Sequence, residues 1–167
     1  MRQAERDGNL RAALTWAGKA VAFSDTARLW TTYARLALDA AQGGDRAQRR
    51  QRRTDALRAG LNGYLRSHTS AAQAEALRVL AKALEENSRG RDMIPALRLV
   101  QTLAPSEGNA AALDTAIARH GFRILAYQID SDAAAPRICA RFSEDLVPAG
   151  VDYEPFCGVR SAAWSRR

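Results

Sequence analysis

At Gly121 the chain changes grammar. Up to that residue it reads as short amphipathic helices built on Ala, Leu and Arg. Beyond it come Phe122-Arg-Ile-Leu-Ala-Tyr-Gln-Ile-Asp130 and Pro136-Arg-Ile-Cys-Ala-Arg-Phe-Ser-Glu-Asp-Leu146, which carry the β-branched and aromatic alternation of strands. The expected fold is therefore mainly α: a helical array over 1–120, then a short, incomplete β segment over 121–159 and a tail over 160–167. A β-sandwich takes about seven strands and about 100 residues, more than 122–167 can supply. The chain is accordingly expected to be a piece of a larger protein.

The helical part carries signs of internal repetition. Gly8-Asn9-Leu10, Ala13, and Lys19-Ala20-Val21 match the second helix of a tetratricopeptide repeat. Ala13 and Ala20 sit seven apart, so they share a face that a neighbouring helix can approach closely. Ser24-Asp25 is expected to cap the next helix, which runs from Ala27 to Leu38 and stops at Gly43-Gly44. A third helix follows Asp45 and reaches about Leu65, with Leu57, Leu61, Tyr64 and Leu65 as its apolar stripe. Ser70-Ala-Ala-Gln73 reads as a capping box, opening a helix with Leu77, Leu80, Ala81 and Leu84 inward. Ser88-Arg-Gly90 is expected to break it. Asp92 is expected to open the next, with Pro95 in its first turn and Ile94, Leu97, Val100 and Ala104 inward. Pro105-Ser106 then caps a last helix over about 107–119, stopped by Gly121. Glycines punctuate these hairpins at 8, 44 and 90, an irregular version of the roughly 34-residue tetratricopeptide period. The expected architecture is a tetratricopeptide-like helical hairpin array, an α-solenoid, of the kind that serves as scaffold or binding surface.

The irregularity coincides with charge. The formal net charge is +7, and the only lysines are Lys19 and Lys82, so the positive charge is nearly all arginine. Arg46, Arg49, Arg50 and Arg53 recur at i, i+3, i+4 and i+7, in line with Leu57, Leu61 and Tyr64. Together with Arg52 they cannot fill a buried seam unpaired, so the helix is expected to overhang its neighbours with its first turns in solvent. Two explanations stay open: a solvated extension, and a patch for phosphate or an acidic partner. No aromatic interleaving or nucleic-acid motif accompanies the stripe, so nucleic acid is not the expected partner.

The strand part has Ile138, Ala140 and Phe142 on one face and Arg137, Cys139 and Arg141 on the other, with a third strand starting near Asp152-Tyr-Glu-Pro-Phe156. Gly121-Phe-Arg-Ile-Leu-x-Tyr-x-Ile-Asp-Ser-Asp, Pro136-Arg-Ile-Cys-x-Arg-Phe-Ser-Glu-Asp-Leu and Asp152-Tyr-x-Pro-Phe156 together resemble the entry to the first macroglobulin-like sandwich of bacterial alpha-2-macroglobulins. In long members of that family a helical, repeat-like region precedes this entry, the order seen here. The resemblance covers about residues 5–157, is specific over 121–156 and is loose before that. It implies an exported, membrane-anchored protease trap as parent, periplasmic or in the cell envelope, with target proteases as partners. It also implies a reactive Cys-x-Glu-Gln thioester in many members. Here Cys139 is followed by Ala-Arg-Phe and Cys157 by Gly-Val-Arg, so neither cysteine matches and this chain is not expected to trap covalently. In the family a cysteine at the position of Cys139 can pair further along the same sandwich. For this chain a Cys139–Cys157 disulfide, with Cα atoms within about 7 Å, and an unpaired Cys139 both stay open. The tail Arg160-Ser-Ala-Ala-Trp164-Ser-Arg-Arg167 departs from the family pattern.

Little else suggests chemistry. The two cysteines lack Cys-x-x-Cys spacing and a nearby histidine, so no metal site is expected. His68 and His120 are isolated and are read as structural, His120 at a helix C-terminus where a cation meets the dipole favourably. Glu85-Glu86 and Glu144-Asp145 are sequence neighbours rather than carboxylates facing across a cleft. Trp16, Trp30, Tyr33 and Tyr64 read as inter-helix packing. The N-terminus has no apolar core for a signal peptide, and no apolar run of about 18 residues exists, so this segment is expected to make no membrane contact. No cofactor and no enzymatic activity are expected. Two functions are carried forward. One is a non-catalytic part of an alpha-2-macroglobulin-like endopeptidase inhibitor, its helices a scaffold or docking module. The other is a freestanding basic adaptor that binds an acidic protein or nucleic acid through the Arg46–Arg53 helix.

Overall fold

The computed structural model describes residues 9–130, 137–146 and 150–152. Among them six helices precede two strands: α1 (Leu10–Phe23), α2 (Ala27–Ala40), α3 (Arg46–Leu65), α4 (Ser70–Glu86), α5 (Gly90–Leu103), α6 (Glu107–His120), β1 (Ile124–Asp130) and β2 (Arg137–Phe142). The molecule is mainly helical with a small two-stranded antiparallel sheet. It divides into two compact units, 1–121 and 122–167.

In the helical unit each helix packs on the next along the chain, and α2 also reaches α4. Two apolar clusters result. Ala13, Leu14 and Ala17 of α1 meet Leu36, Ala37 and Leu38 of α2, with Ala56 of α3 and Ala83 of α4. Leu77, Leu80, Ala81 and Leu84 of α4 meet Met93, Ile94, Leu97 and Val100 of α5, with Ala116 of α6. Helix α4 feeds both clusters, so it is the element whose packing links the two halves. Ala13 is fully buried as expected, but Ala20 is only partly buried: among the described elements α1 packs against α2 alone.

The buried face of α3 differs from the expected leucine stripe. Ala56, Ala59, Gly60 and Gly63 are buried, whereas Leu61 is 47% exposed and Leu65 64% exposed. The reason is close approach on both sides. A Cβ on Gly60 would lie 3.2 Å from Leu80 Cα in α4, and a Cβ on Gly63 would lie 2.6 Å from Thr31 Oγ1 in α2. Helix α3 thus runs between two backbones on its small residues. Leu57 and Tyr64 pack only partly, at the edge of the clusters.

Several boundaries shift by one or two residues. The side chain that caps α4 is Thr69, whose Oγ1 accepts from Ala72 N at 3.3 Å; Ser70 is already helical. Asp25 does not cap α2, whose N-cap Thr26 makes no side-chain cap bond. Helix α5 starts at Gly90 rather than Asp92. Asp92 lies in its first turn and takes Arg89 Nε at 2.7 Å, and Pro95 consequently falls in the second turn, where its missing N–H removes a helix bond. The break before it falls in Ser88-Arg-Gly90 as expected, and the residue that makes the turn is Ser88. Ser88 has φ +61°, Arg89 N donates to Leu84 O and Ser88 N donates to Glu85 O, the pair of bonds of a Schellman motif. Gly90 is needed for proximity: a Cβ there would sit 2.3 Å from Nδ1 of His120. At the far end Ser106 caps α6 and accepts from Asn109 N, and Gly121 N donates to Ile117 O at 2.8 Å from an extended conformation.

Asp25 has a different task. Its carboxylate accepts from Arg66 Nε and from Trp30 Nε1, while the Arg66 guanidinium lies 5.4 Å over the Trp30 ring. This ties the α1–α2 turn to the C-cap of α3. The hydrogen bond from Arg66, then that from Trp30, holds the Asp25 carboxyl below its ordinary 3.8. A carboxyl depressed in the folded state stabilises the fold when ionised, and that contribution vanishes as pH falls through the folded value. Wild type is therefore expected to have a higher urea midpoint than Asp25→Asn at neutral pH, the gap closing below pH 3.8. A gap that stays constant into strong acid would rule this linkage out.

In the second unit β1 and β2 pair antiparallel, with Ile129 opposite Ile138 and Tyr127 opposite Ala140. The first strand begins at Ile124 rather than Phe122, and Leu125 is the extra residue of a bulge between Ile124 and Ala126. Phe122 stacks on Phe142 with ring centroids 5.1 Å apart, and Arg137 pairs with Asp130 at 3.2 Å. The expected third strand near Asp152-Tyr-Glu-Pro-Phe156 falls largely outside the described residues.

Candidate functional site

Helix α3 opens with a tight turn. Gly44 has φ +84°, a left-handed conformation suited to glycine. Asp45 then caps the helix, its Oδ1 accepting from Gln48 N at 2.8 Å. From this fixed start the 3.6-residue period sends Arg46, Arg49, Arg50 and Arg53 to one side. The opposite wall is the C-terminal end of α4. Glu86, Asn87 and Ser88 face the four arginines across a cleft of about 480 Å³.

The four guanidinium groups are held differently. Arg53 pairs with Glu86, Nη2 to Oε2 at 3.1 Å, and its buried Nε has no hydrogen-bond partner. Asn87 Nδ2 donates to Arg53 O at 2.9 Å and to Ala83 O at 2.7 Å, locking α4's end to α3's backbone. The negative pole of α4 also favours a cation there. Arg49 donates to the Gly44 carbonyl. The Arg46 and Arg50 side chains are exposed, and their guanidinium groups have no ion-pair or hydrogen-bond partner among the described residues. The cleft therefore holds four cationic side chains against one carboxylate. Its first turns are in solvent, as the charge pattern demanded, while Arg53 and the partly buried Arg49 reach toward the neighbouring chain segments.

A second cleft of about 500 Å³ lies between α4 and α6, floored by Ala81, Met93, Leu97 and Ala116. Two of its rim cations are already engaged: Arg78 with Glu75 and Asn109, and Arg119 with Glu85.

The remaining residues singled out in the sequence are scattered. Glu85 points to α6, where Arg119 and His120 Nε2 lie 3.5 and 3.6 Å from its Oε1, whereas Glu86 points to α3. They do not form a carboxylate pair. His68 is exposed in the turn before α4. Trp16 departs from the packing expectation: it is 54% exposed, with Lys19 Nζ 4.8 Å from its ring. Tyr33 and Tyr64 are partly buried against the two clusters, and burial raises the Tyr33 hydroxyl above its ordinary 10.0. Glu144 and Asp145 follow β2 in the other unit. Cys139 is a free, exposed thiol opposite Gln128, and Cys157 lies outside the described residues. Among the described residues no three His, Cys, Asp or Glu side chains gather as metal ligands, and no helix is long and apolar enough to cross a membrane. Glu86, Asn87 and Ser88 as the facing wall were not foreseen from the sequence. The arginine period marked one wall, but nothing local to α3 signals which helix end lies opposite.

Comparison with protein-family models, with curated proteins and with solved structures found no match.

Proposed function

We propose that this chain is a non-catalytic part of a bacterial alpha-2-macroglobulin-type endopeptidase inhibitor, in which a tetratricopeptide-like helical array serves as docking arm and the strand unit opens a macroglobulin-like sandwich. The observation that carries this reading is the amphipathic hairpin. Tyr127 and Ile129 of β1 share a face with Ile138 and Ala140 of β2, while Gln128, Asp130, Arg137 and Cys139 occupy the other. The apolar face is bare, with Tyr127 73% and Ile129 62% exposed. A two-stranded hairpin is marginally stable alone, and one apolar and one polar face is the pattern of a sheet that packs on a second sheet. This supports the family resemblance of 121–156, where the strands fall on the motif residues. The parent would sit in the cell envelope and meet target proteases. DNA downstream of this reading frame is expected to encode further macroglobulin-like strands and a Cys-x-Glu-Gln in one of its three frames. Unrelated sequence in all three would remove the reading.

The arginine cleft favours a second reading, that the helical unit is an adaptor docking an acidic protein. Four guanidinium groups facing one carboxylate are a standing excess of positive charge that an anionic partner would relieve. Under the first reading the same cleft would belong to the docking arm.

A further inference from the structure

The arginine cleft holds internal clues to the chemistry of its occupant. The groups that the chain itself places on these arginines are a carboxylate, Glu86 on Arg53, and a backbone carbonyl, Gly44 on Arg49. The two guanidinium groups left without a partner among the described residues, Arg46 and Arg50, are one turn apart on the same face. Their separation along the helix axis is about 6 Å at about 1.5 Å per residue. Carboxylates at i and i+2 of an extended segment are separated by about 6.6 Å. The described residues lining the cleft include no aromatic side chain on which a nucleic-acid base could stack.

We propose that this cleft docks an acidic protein segment through two carboxylates, one on Arg46 and one on Arg50, continuing the ladder that Glu86 begins on Arg53. The inference rests on the adaptor reading above and specifies its ligand. Arg53 and Arg49 are positioning residues: Arg53 fixes the α4 wall through Glu86, and Arg49 fixes the entrance turn through Gly44. Arg46 and Arg50 are the contact residues. Planar guanidinium groups take carboxylates bidentately, and the exposed rim makes the contact sensitive to salt.

The test is a fluorescence-anisotropy titration of the full chain with three labelled Gly/Ser peptides carrying two glutamates at i and i+2, one glutamate, or none. The two-glutamate peptide is expected to bind best, to weaken as salt rises, and to lose about fivefold or more on either Arg46→Ala or Arg50→Ala. Arg58→Ala removes the same charge from an exposed position of α3 outside the cleft and is expected to leave binding nearly unchanged. Circular dichroism and the urea midpoint verify that each variant is folded. If one- and two-glutamate peptides bind alike while both depend on Arg46, the two-carboxylate occupant is overturned and the acidic-docking reading survives. If Arg58→Ala weakens binding as much as Arg46→Ala, or if no peptide binds, both fall. If inorganic phosphate or a single-stranded oligonucleotide displaces the peptide and itself needs Arg46 and Arg50, the cleft is a phosphate site and the peptide proposal is overturned.

Discussion

Leu77→Ala is expected to remove about 2–5 kcal/mol of unfolding free energy, the range for truncating a leucine in a packed core. Leu77 is 3% exposed and belongs to the cluster of Leu80, Ile94, Leu97 and Val100. It sits on α4, the helix that touches α2, α3 and α5, so the vacated space is lined by elements fixed from several sides and collapses poorly. Set against a typical domain stability of about 5–15 kcal/mol, the loss is a large fraction of the whole. The informative comparison is Leu61→Ala, the same chemical change on the preceding helix, α3. Leu61 is 47% exposed, and its truncation is expected to cost under about 1 kcal/mol. Urea unfolding followed by circular dichroism measures both. Equal losses would mean that Leu61 is buried and that the packing of α3 described above is wrong.

That contrast also marks where the sequence was legible. Helices in which large apolar residues face inward were readable from period alone: Leu77, Leu80, Ala81 and Leu84 of α4, and Ile94, Leu97 and Val100 of α5, are buried as their spacing demanded, whereas Ala104, expected on the same face, is the C-cap of α5 and only partly buried. For α3 the same rule misled, because hydrophobic period reports which face is apolar, not which face is closest to a neighbour. Ala56, Ala59, Gly60 and Gly63 define a second, narrower face of the same helix, and the fold uses that one. Turn residues were legible as punctuation but not as roles. Ser88-Arg-Gly90 reads as the break between α4 and α5, but the spacing does not say that Ser88 takes the left-handed conformation while Gly90 admits His120. Cap rules on Ser and Thr cannot choose between Thr69 and Ser70, since either could accept from the first turn.

The cleft was legible on one side only. Spacing of i, i+3, i+4 and i+7 is enough to align four arginines on any α-helix, and the need to keep them hydrated placed the first turns of α3 in solvent. What made a cleft of that stripe is tertiary: the C-terminal end of α4 arrives opposite Arg53 because α3 and α4 are antiparallel neighbours joined by a short turn. Glu86 pairs across that gap, and Asn87 bonds the Arg53 carbonyl. These are contacts more than thirty positions apart in the chain, outside the reach of any local pattern.

The close approach that sets this geometry has its own consequence. Gly60→Val is expected to destabilise by about 1–3 kcal/mol, the usual cost of overpacking. A first methyl-sized atom at this position would already stand 3.2 Å from Leu80 Cα and 3.4 Å from Leu80 N. Those are backbone atoms, which cannot swing aside, so the two further methyls of valine must push α3 away from α4. The few tenths of a kcal/mol by which valine exceeds glycine in helix propensity does not offset that. Gly60→Ala should fall between, its propensity gain of about 1 kcal/mol largely cancelled by the tight contact. Gly18→Ala is the control of opposite sign. Gly18 lies inside α1 and, among the described residues, a Cβ there would meet only Tyr33 Cε2 at 3.8 Å, an ordinary contact distance, so the substitution should stabilise by about 0.5–1 kcal/mol. Urea midpoints ordered Gly18→Ala above wild type and Gly60→Val below it would establish that α3 is held by backbone proximity. A stable Gly60→Val would show that α3 and α4 stand further apart, and the cleft between Arg53 and Glu86 would open with them.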